Sequence, residues 1–176
     1  MEFSVLITVY EKEKPYNLRK SLLSSYRQTI RPTEIVLICD GELTQELYDE
    51  IEQIKSEIPI LKVYQLSSNV GSGPASCFGV KKCNTDLIAR MDSDDYSEET
   101  RFEKQIKAFE ENPNLIMVGT NILEKNTEFT AFKTVPEKTE EIREYSKFRN
   151  PFNNPSSMMK KEYILKVGNY RKFRYL

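Results

Sequence analysis

Leu87-Ile88-Ala89-Arg90-Met91-Asp92-Ser93-Asp94-Asp95 is a short apolar run that stops in three carboxylates. It has the pattern of a buried strand delivering acids to its carboxyl end. Clustering carboxylates sets like charges against one another, and partial burial strips their hydration, so the cluster costs stability unless a cation or hydrogen-bond donors compensate. A divalent metal is the economical compensation. Oxygen-only ligands select hard ions such as Mg²⁺ or Mn²⁺, which keep water and substrate phosphate oxygens in their remaining positions. The implied ligand is therefore phosphorylated. Alone, Asp-x-Asp is a weak signal that reads first as a polar turn, with Ser97 as N-cap of the next helix and Glu98 and Glu99 in its first turn. Its place after a strand, and the chain on either side, tip the reading toward a site.

Upstream, strands and helices alternate. Phe3 to Tyr10 is β-branched and aromatic, suited to a strand buried on both faces. After Pro15, Leu18, Leu22, Leu23 and Tyr26 recur at helical spacing, and the helix ends before Arg31-Pro32. Glu34 to Cys39 is a second buried strand closed by Asp40-Gly41. Thr44 caps a helix striped by Leu47, Ile51, Ile54 and Ile58, and Ile60 to Leu66 is a third strand. Asn69-Val70-Gly71-Ser72-Gly73-Pro74 then opens a helix running to about Cys83. Its glycines allow a phosphate close to backbone N–H groups. Pro74 at the first helical position and Gly71 in a turn are equally ordinary punctuation.

This alternation predicts an α/β fold, a mostly parallel central sheet with right-handed crossovers, helices on both faces, and ligands at the carboxyl ends of the strands. Thr8-Val9-Tyr10, Asp40-Gly41 and Asp92-Ser93-Asp94 are then expected to face one crevice. Downstream, Phe102, Ile106 and Phe109 stripe a helix ending near Asn112-Pro113, and Leu115 to Gly119 is a strand. Thr120 to Pro136 reads as an extended hairpin, Glu137 to Phe148 as a charged, solvated helix, and Asn150 to Pro155 as a loop. A strand at Ser156 to Lys160 and a helix near Glu162 to Val167 follow. The tail mixes Lys166, Arg171, Lys172 and Arg174 with Tyr170, Phe173 and Tyr175. We read it as solubilising, with peripheral contact to a membrane surface as the alternative.

With 176 residues the chain fits one domain able to bury roughly 70% of its unfolded surface. Charged residues make up 30% and the net charge is −1, which gives no general field for nucleic acid. No apolar run approaches the roughly 18 residues of a membrane span, and the N-terminus lacks a basic segment followed by an apolar one. A cytoplasmic protein is expected. Cys39, Cys77 and Cys83 lack CxxC spacing, so reduced thiols are expected rather than a disulfide framework or zinc site. The sequence contains no histidine, which excludes Ser-His and Cys-His nucleophiles and leaves carboxylates as the acid/base groups. A phosphohydrolase with an Asp nucleophile wants its acids straight after the first strand, where this chain has Thr8-Val9-Tyr10.

Four blocks together resemble the family 2 glycosyltransferases, nucleotide-sugar-dependent enzymes with the GT-A fold. They are Ser4 to Tyr10, Glu34 to Gly41, Asn69 to Gly79 and, most specifically, Ile88 to Asp95. Arg101 to Gln105 and Glu111 to Gly119 also look like the subgroup that builds bacterial capsular and lipopolysaccharide chains. The resemblance implies that Thr8, Val9 and Tyr10 line the nucleoside pocket, Asp40 hydrogen-bonds the base, commonly uracil, and Asn69 and Gly71 belong to the nucleotide site. It puts Asp92 and Ser93 near the ribose and inner phosphate, with Arg90 at the same crevice. Asp94, with Asp92, is implied to ligate Mn²⁺ or Mg²⁺. The implied partners are a nucleotide-diphosphate sugar, UDP-linked, and a saccharide or lipid-linked saccharide acceptor at the inner face of the membrane; the family inverts, so the resemblance implies no covalent enzyme intermediate.

The sequence departs from the family pattern in three places. The usual base lies in a Glu-Asp element shortly after a segment like Val167-Gly168-Asn169-Tyr170-Arg171, and the chain runs only to Leu176. A chain stopping just short of the base is the expectation, with a non-catalytic module holding UDP and metal as the alternative. Asn154 stands where related enzymes often carry histidine, and Cys77 where asparagine is common.

Overall fold

The structure is a computed structural model that describes residues 1–125 and 129–172. It contains β1 (Phe3–Val9), α1 (Pro15–Tyr26), β2 (Glu34–Cys39), α2 (Gln45–Lys55), β3 (Leu61–Gln65), α3 (Ser72–Lys82), β4 (Leu87–Asp92) and α4 (Arg101–Glu111). After these come β5 (Met117–Val118), β6 (Ile122–Lys125), β7 (Thr130–Lys133), α5 (Thr139–Tyr145), a 3₁₀ turn (Asn154–Ser156), β8 (Met158–Lys160) and α6 (Lys161–Lys166). Part of the expected 120–136 hairpin, and Phe173, Arg174 and Tyr175 of the basic tail, lie outside the described residues.

The six-stranded sheet has the order β3-β2-β1-β4-β8-β5. From β1 to β3 the chain steps outward one way, then returns to lay β4 on the other side of β1, so the strand order reverses between β1 and β4. Such a switch point opens a crevice at the strand carboxyl ends. The register pairs Thr8 with Asp92, and Asp40 N–H donates to the Val9 carbonyl at 2.8 Å. The expected parallel core is thus present, and β8 adds an antiparallel element between β4 and β5.

Both faces of the sheet are buried, which is why β1, β2 and β4 are almost continuously apolar. Phe3, Val5, Ile7, Ile35, Leu37, Ala89 and Met91 pack with Leu18, Leu22, Leu47, Ile51, Ile54, Phe102, Ile106 and Phe109 from α1, α2 and α4. Leu6, Val36, Ile38 and Ile88 point the other way, onto Ala75 and Val80 of α3 and Ile164 of α6. The Phe3 and Phe102 rings meet edge to face at 4.9 Å, and burying one such side chain contributes about 2–3 kcal/mol.

Two helix starts differ from expectation. Ser97 does not cap α4, which begins at Arg101. Its hydroxyl and carbonyl accept from the Gln28 amide, and its N–H donates to Ser24 Oγ. The Gln28 side-chain Oε1 in turn accepts from Phe102 N–H, so the cap comes from a residue distant in sequence. Likewise α3 begins at Ser72 rather than Pro74, leaving Pro74 as its third residue, still inside the first turn where a missing N–H is tolerated.

Candidate functional site

Thr8, Val9, Tyr10, Asp40, Asn69, Gly71 and Ser72 line one cleft of about 250 Å³ at the carboxyl ends of β1 and β2. It unites residues from three segments because β1 and β2 are neighbours and the 69–71 loop folds over them. Gly41 permits that approach: a Cβ there would lie 2.5 Å from Asn69 N, and its φ of +87° favours glycine.

Asp40 is 4% exposed, and its two carboxylate oxygens accept from Val70 N–H at 2.8 Å and Gly71 N–H at 3.0 Å. Two of the loop amides that sequence alone left open to a phosphate, those of Val70 and Gly71, are therefore spent on Asp40. A carboxylate accepts up to about four hydrogen bonds, so Asp40 fixes the loop and still retains acceptor capacity toward the cleft.

Next to this cleft, across β1, lies the acidic turn. Asp92 holds 42% of its side chain in solvent, while Asp94 and Asp95 are exposed. Burial, opposed by Arg90 and Arg101 and assisted by Asp94, raises the Asp92 carboxyl above its ordinary range. Asp95 is pushed up to about 6 by desolvation and by the charges of Asp92 and Asp94. Among the described residues no three acidic or thiol side chains converge on a ready-made metal cage. Mg²⁺ and Mn²⁺ take one or two carboxylates and complete their shell with water and phosphate oxygens. Asp92 and Asp94 supply hard oxygen donors of this kind, and a cation would relieve their mutual repulsion.

The turn is held from behind. Ser21 Oγ donates to the Asp92 carbonyl at 2.8 Å, and Ser93, 7% exposed, donates its hydroxyl to Glu13 Oε2 at 2.7 Å. Ser93 thus spends its hydroxyl on the loop after β1. Arg90, expected at the crevice, is 1% exposed and lies beneath Asp92. Arg101 is buried beside it, donating to the Arg90 carbonyl at 2.7 Å; burial lowers its guanidinium to about 10 against the pull of Asp95 and Asp92. Glu13 and Arg101 did not stand out as site residues in the sequence. A charged residue at a helix start and a lone acid in a loop carry no signal until the fold brings them to the turn. Asn154 and Cys77 do not line the cleft.

The chain matches the sequence profile of Glycosyl transferase family 2 over residues 4–167. It is 33% identical over 175 residues to the amylovoran biosynthesis glycosyltransferase AmsE of Erwinia amylovora, covering 99% of this chain and 65% of that protein. To the UDP-Gal:alpha-D-GlcNAc-diphosphoundecaprenol beta-1,3-galactosyltransferase of Escherichia coli it is 36% identical over 174 residues, covering 96% and 62%. The chain therefore spans less than two thirds of the length of these curated relatives. Among solved structures, S. aureus TarS in complex with UDP-GlcNAc superposes with a TM-score of 0.73 at 21% identity, covering 98% of this chain and 49% of that one. The mannosyltransferase PcManGT of Pyrobaculum calidifontis, in complex with GDP-Man and Mn²⁺, gives 0.71 at 13% identity, covering 97% and 47%. The sequence match over nearly the whole chain and the shared sheet topology agree: this protein belongs to glycosyl transferase family 2 and has the GT-A fold.

Proposed function

We propose that this chain holds the nucleotide-sugar donor of a glycosyltransferase that builds bacterial surface polysaccharide. UDP is the nucleotide, Mn²⁺ or Mg²⁺ the cation, and a saccharide or lipid-linked saccharide the acceptor. The observation that carries the reading is the cleft of Thr8, Val9, Tyr10, Asp40, Asn69 and Gly71 beside the half-buried carboxylate of Asp92 and the exposed one of Asp94. It offers a largely apolar pocket for a nucleoside next to acids that suit the cation of a diphosphate. The E. coli relative, whose name gives a UDP-linked donor and a lipid diphosphate acceptor, supports the choice of UDP. Among the described residues no helix is long and apolar enough to cross a membrane, so a lipid-linked acceptor would be met from the membrane surface.

Transfer joins an acceptor oxygen to the anomeric carbon while the bond from that carbon to a phosphate oxygen breaks. The acceptor proton passes to a carboxylate base, negative charge grows on the departing UDP, and the sugar becomes oxocarbenium-like. Bound at Asp92 and Asp94, Mn²⁺ or Mg²⁺ would supply Lewis-acid stabilisation of the leaving diphosphate. The chain's own part is orientation. Asp40 keeps the 69–71 wall closed, and Ser21 and Glu13 hold the acidic turn at a fixed height above the sheet, so little ordering remains to be done when the donor arrives.

Calorimetric titration with UDP, with and without Mn²⁺, and with GDP alongside, tests the reading. Metal-dependent binding that prefers UDP is expected. Absence of binding by either nucleotide would sink it.

A further inference from the structure

We propose that Arg90 is a positioning residue: it sets the Asp92 carboxylate from beneath and ties it to the ring of Tyr170, so that the segment after α6 governs how the acidic turn receives its metal and nucleotide. The inference rests on the donor-binding reading above.

Arg90 projects from β4 on the α3 side of the sheet, between Ile88 and Asp92. It is 1% exposed, and a guanidinium taken out of water costs more than an aliphatic side chain filling the same space. Its neighbours do not exhaust its donors. Nη1 donates to the Leu6 carbonyl at 3.1 Å, whereas Nε and Nη2 have no hydrogen-bond partner among the described residues. Asp92 Oδ1 lies 3.6 Å from Nη2: close enough to be an ion pair, too far to be a hydrogen bond. A movement of about 0.6 Å would bring the two into N–H···O contact. The buried cation therefore holds a donor in reserve, aimed at an acid that the Proposed function assigns to the metal.

On its other side the guanidinium lies over the Tyr170 ring, 5.7 Å from the centroid. Tyr170 is itself anchored. Asn169 adopts a left-handed conformation at φ 62°, donates its side-chain amide to the Cys77 carbonyl at 3.2 Å, and accepts from Tyr170 N–H at 2.7 Å. The chain then crosses the first turn of α3, where a Cβ on Gly73 would lie 2.2 Å from the Arg171 carbonyl oxygen. Because residues 71 and 72 line the nucleotide cleft, the 168–171 segment touches both halves of the site: the cleft wall through Gly73, and Asp92 through Tyr170 and Arg90. Asp92 is thus set by a residue distant from it in sequence.

The test titrates UDP into wild-type, R90K, Y170F and Y170L chains with and without Mn²⁺, with thermal melting to confirm folding and electron paramagnetic resonance to read Mn²⁺ uptake. Removing the ring in Y170L is expected to weaken Mn²⁺-dependent UDP binding roughly fivefold, in line with loss of a buried cation–π contact, and to leave metal-free UDP binding unchanged. Y170F keeps the ring and should bind as wild type does. R90K keeps the charge but not the planar fork, and should resemble Y170L. Wild-type affinity in Y170L, an equal loss in Y170F and Y170L, or an equal loss with and without metal would each overturn the inference while leaving donor binding intact. A wild-type chain that takes up neither UDP nor Mn²⁺ overturns the donor-binding reading, and this inference with it.

Discussion

At the amino ends of β1 and β2, Glu34 is buried and accepts from Ser4 Oγ, Lys62 Nζ and both the backbone and side-chain nitrogens of Asn84. Burial works to raise its carboxyl, but these donors outweigh it and hold the group at about 2. At the carboxyl ends of the neighbouring β1 and β4, Asp92 and Asp95 are raised instead, and Asp94 stands in solvent beside them. One sheet thus satisfies a carboxylate at one end and leaves carboxylates short of donors at the other. The first arrangement stabilises the fold. The second costs stability, and a bound cation would repay it.

The sharpest way to break this comparison is to remove each kind of acid in turn. Glu34→Ala strands Ser4, Lys62 and Asn84 without their acceptor, and the expected cost is about 3 kcal/mol in urea unfolding, as for a broken buried pair. The folded fraction should bind UDP unchanged. Asp94→Ala should do the reverse, lowering Mn²⁺-dependent UDP affinity on the order of 100-fold, about 2.7 kcal/mol, while stability moves by no more than about 0.5 kcal/mol. If Asp94→Ala destabilised the chain as much as Glu34→Ala, the distinction between the two ends would collapse.

Asp40 stands between the two classes, since both its oxygens accept hydrogen bonds as those of Glu34 do, yet it lines the cleft and keeps acceptor capacity toward it. Asp40→Ala frees Val70 and Gly71 N–H groups and should cost about 2 kcal/mol of stability. It should also weaken UDP binding about tenfold, or 1.4 kcal/mol. Parallel titrations with UDP and GDP separate its two duties: loss of loop support weakens both nucleotides alike, and loss of a contact to the base weakens UDP alone.

What the sequence made legible follows the range of the interactions. The stripe Leu47, Ile51, Ile54 and the apolar runs of β1, β2 and β4 are local patterns, and the structure places them as read. The convergence of Thr8–Tyr10 and Asp40 on one cleft followed from a topology in which strand carboxyl ends meet at a switch point, whereas Asn69 and Gly71 were assigned to the nucleotide site only through the family resemblance. The direction of β8 was not legible, because a three-residue strand carries no sign of which neighbour it will join. Nor was the α4 cap, since Ser97 looks like a cap until Gln28, distant in sequence, occupies its oxygens. The Asp40 bonds and the burial of Arg90 were hidden for the same reason. Each depends on a backbone brought close by folding, and residue type does not reveal it.

The subtlest consequence lies in acid. Glu34 has an ordinary value of 4.5 and is held at about 2, so the stability it confers is present above pH 4.5 and is lost as pH falls from there toward 2. Because its partner Lys62 is half exposed, the loss is about 2 kcal/mol after solvent screening. Asp95 has the opposite sign: its ordinary value is 3.8 and it is pushed up to about 6. The folded chain binds that proton more readily than the unfolded one, so the Asp95 contribution is complete below pH 3.8 and disappears as pH rises through 6. Thermal melting followed from pH 7 downward should therefore rise slightly toward pH 4.5 and then fall. Asp95→Asn should reduce the rise, the raised Asp92 carboxyl keeping the remainder, and Glu34→Gln should blunt the fall, each without altering the other limb. A single monotonic decline in the wild-type chain, unchanged by Asp95→Asn, would mean that the acidic turn is not strained in the absence of metal and that the two ends of the sheet differ only in exposure.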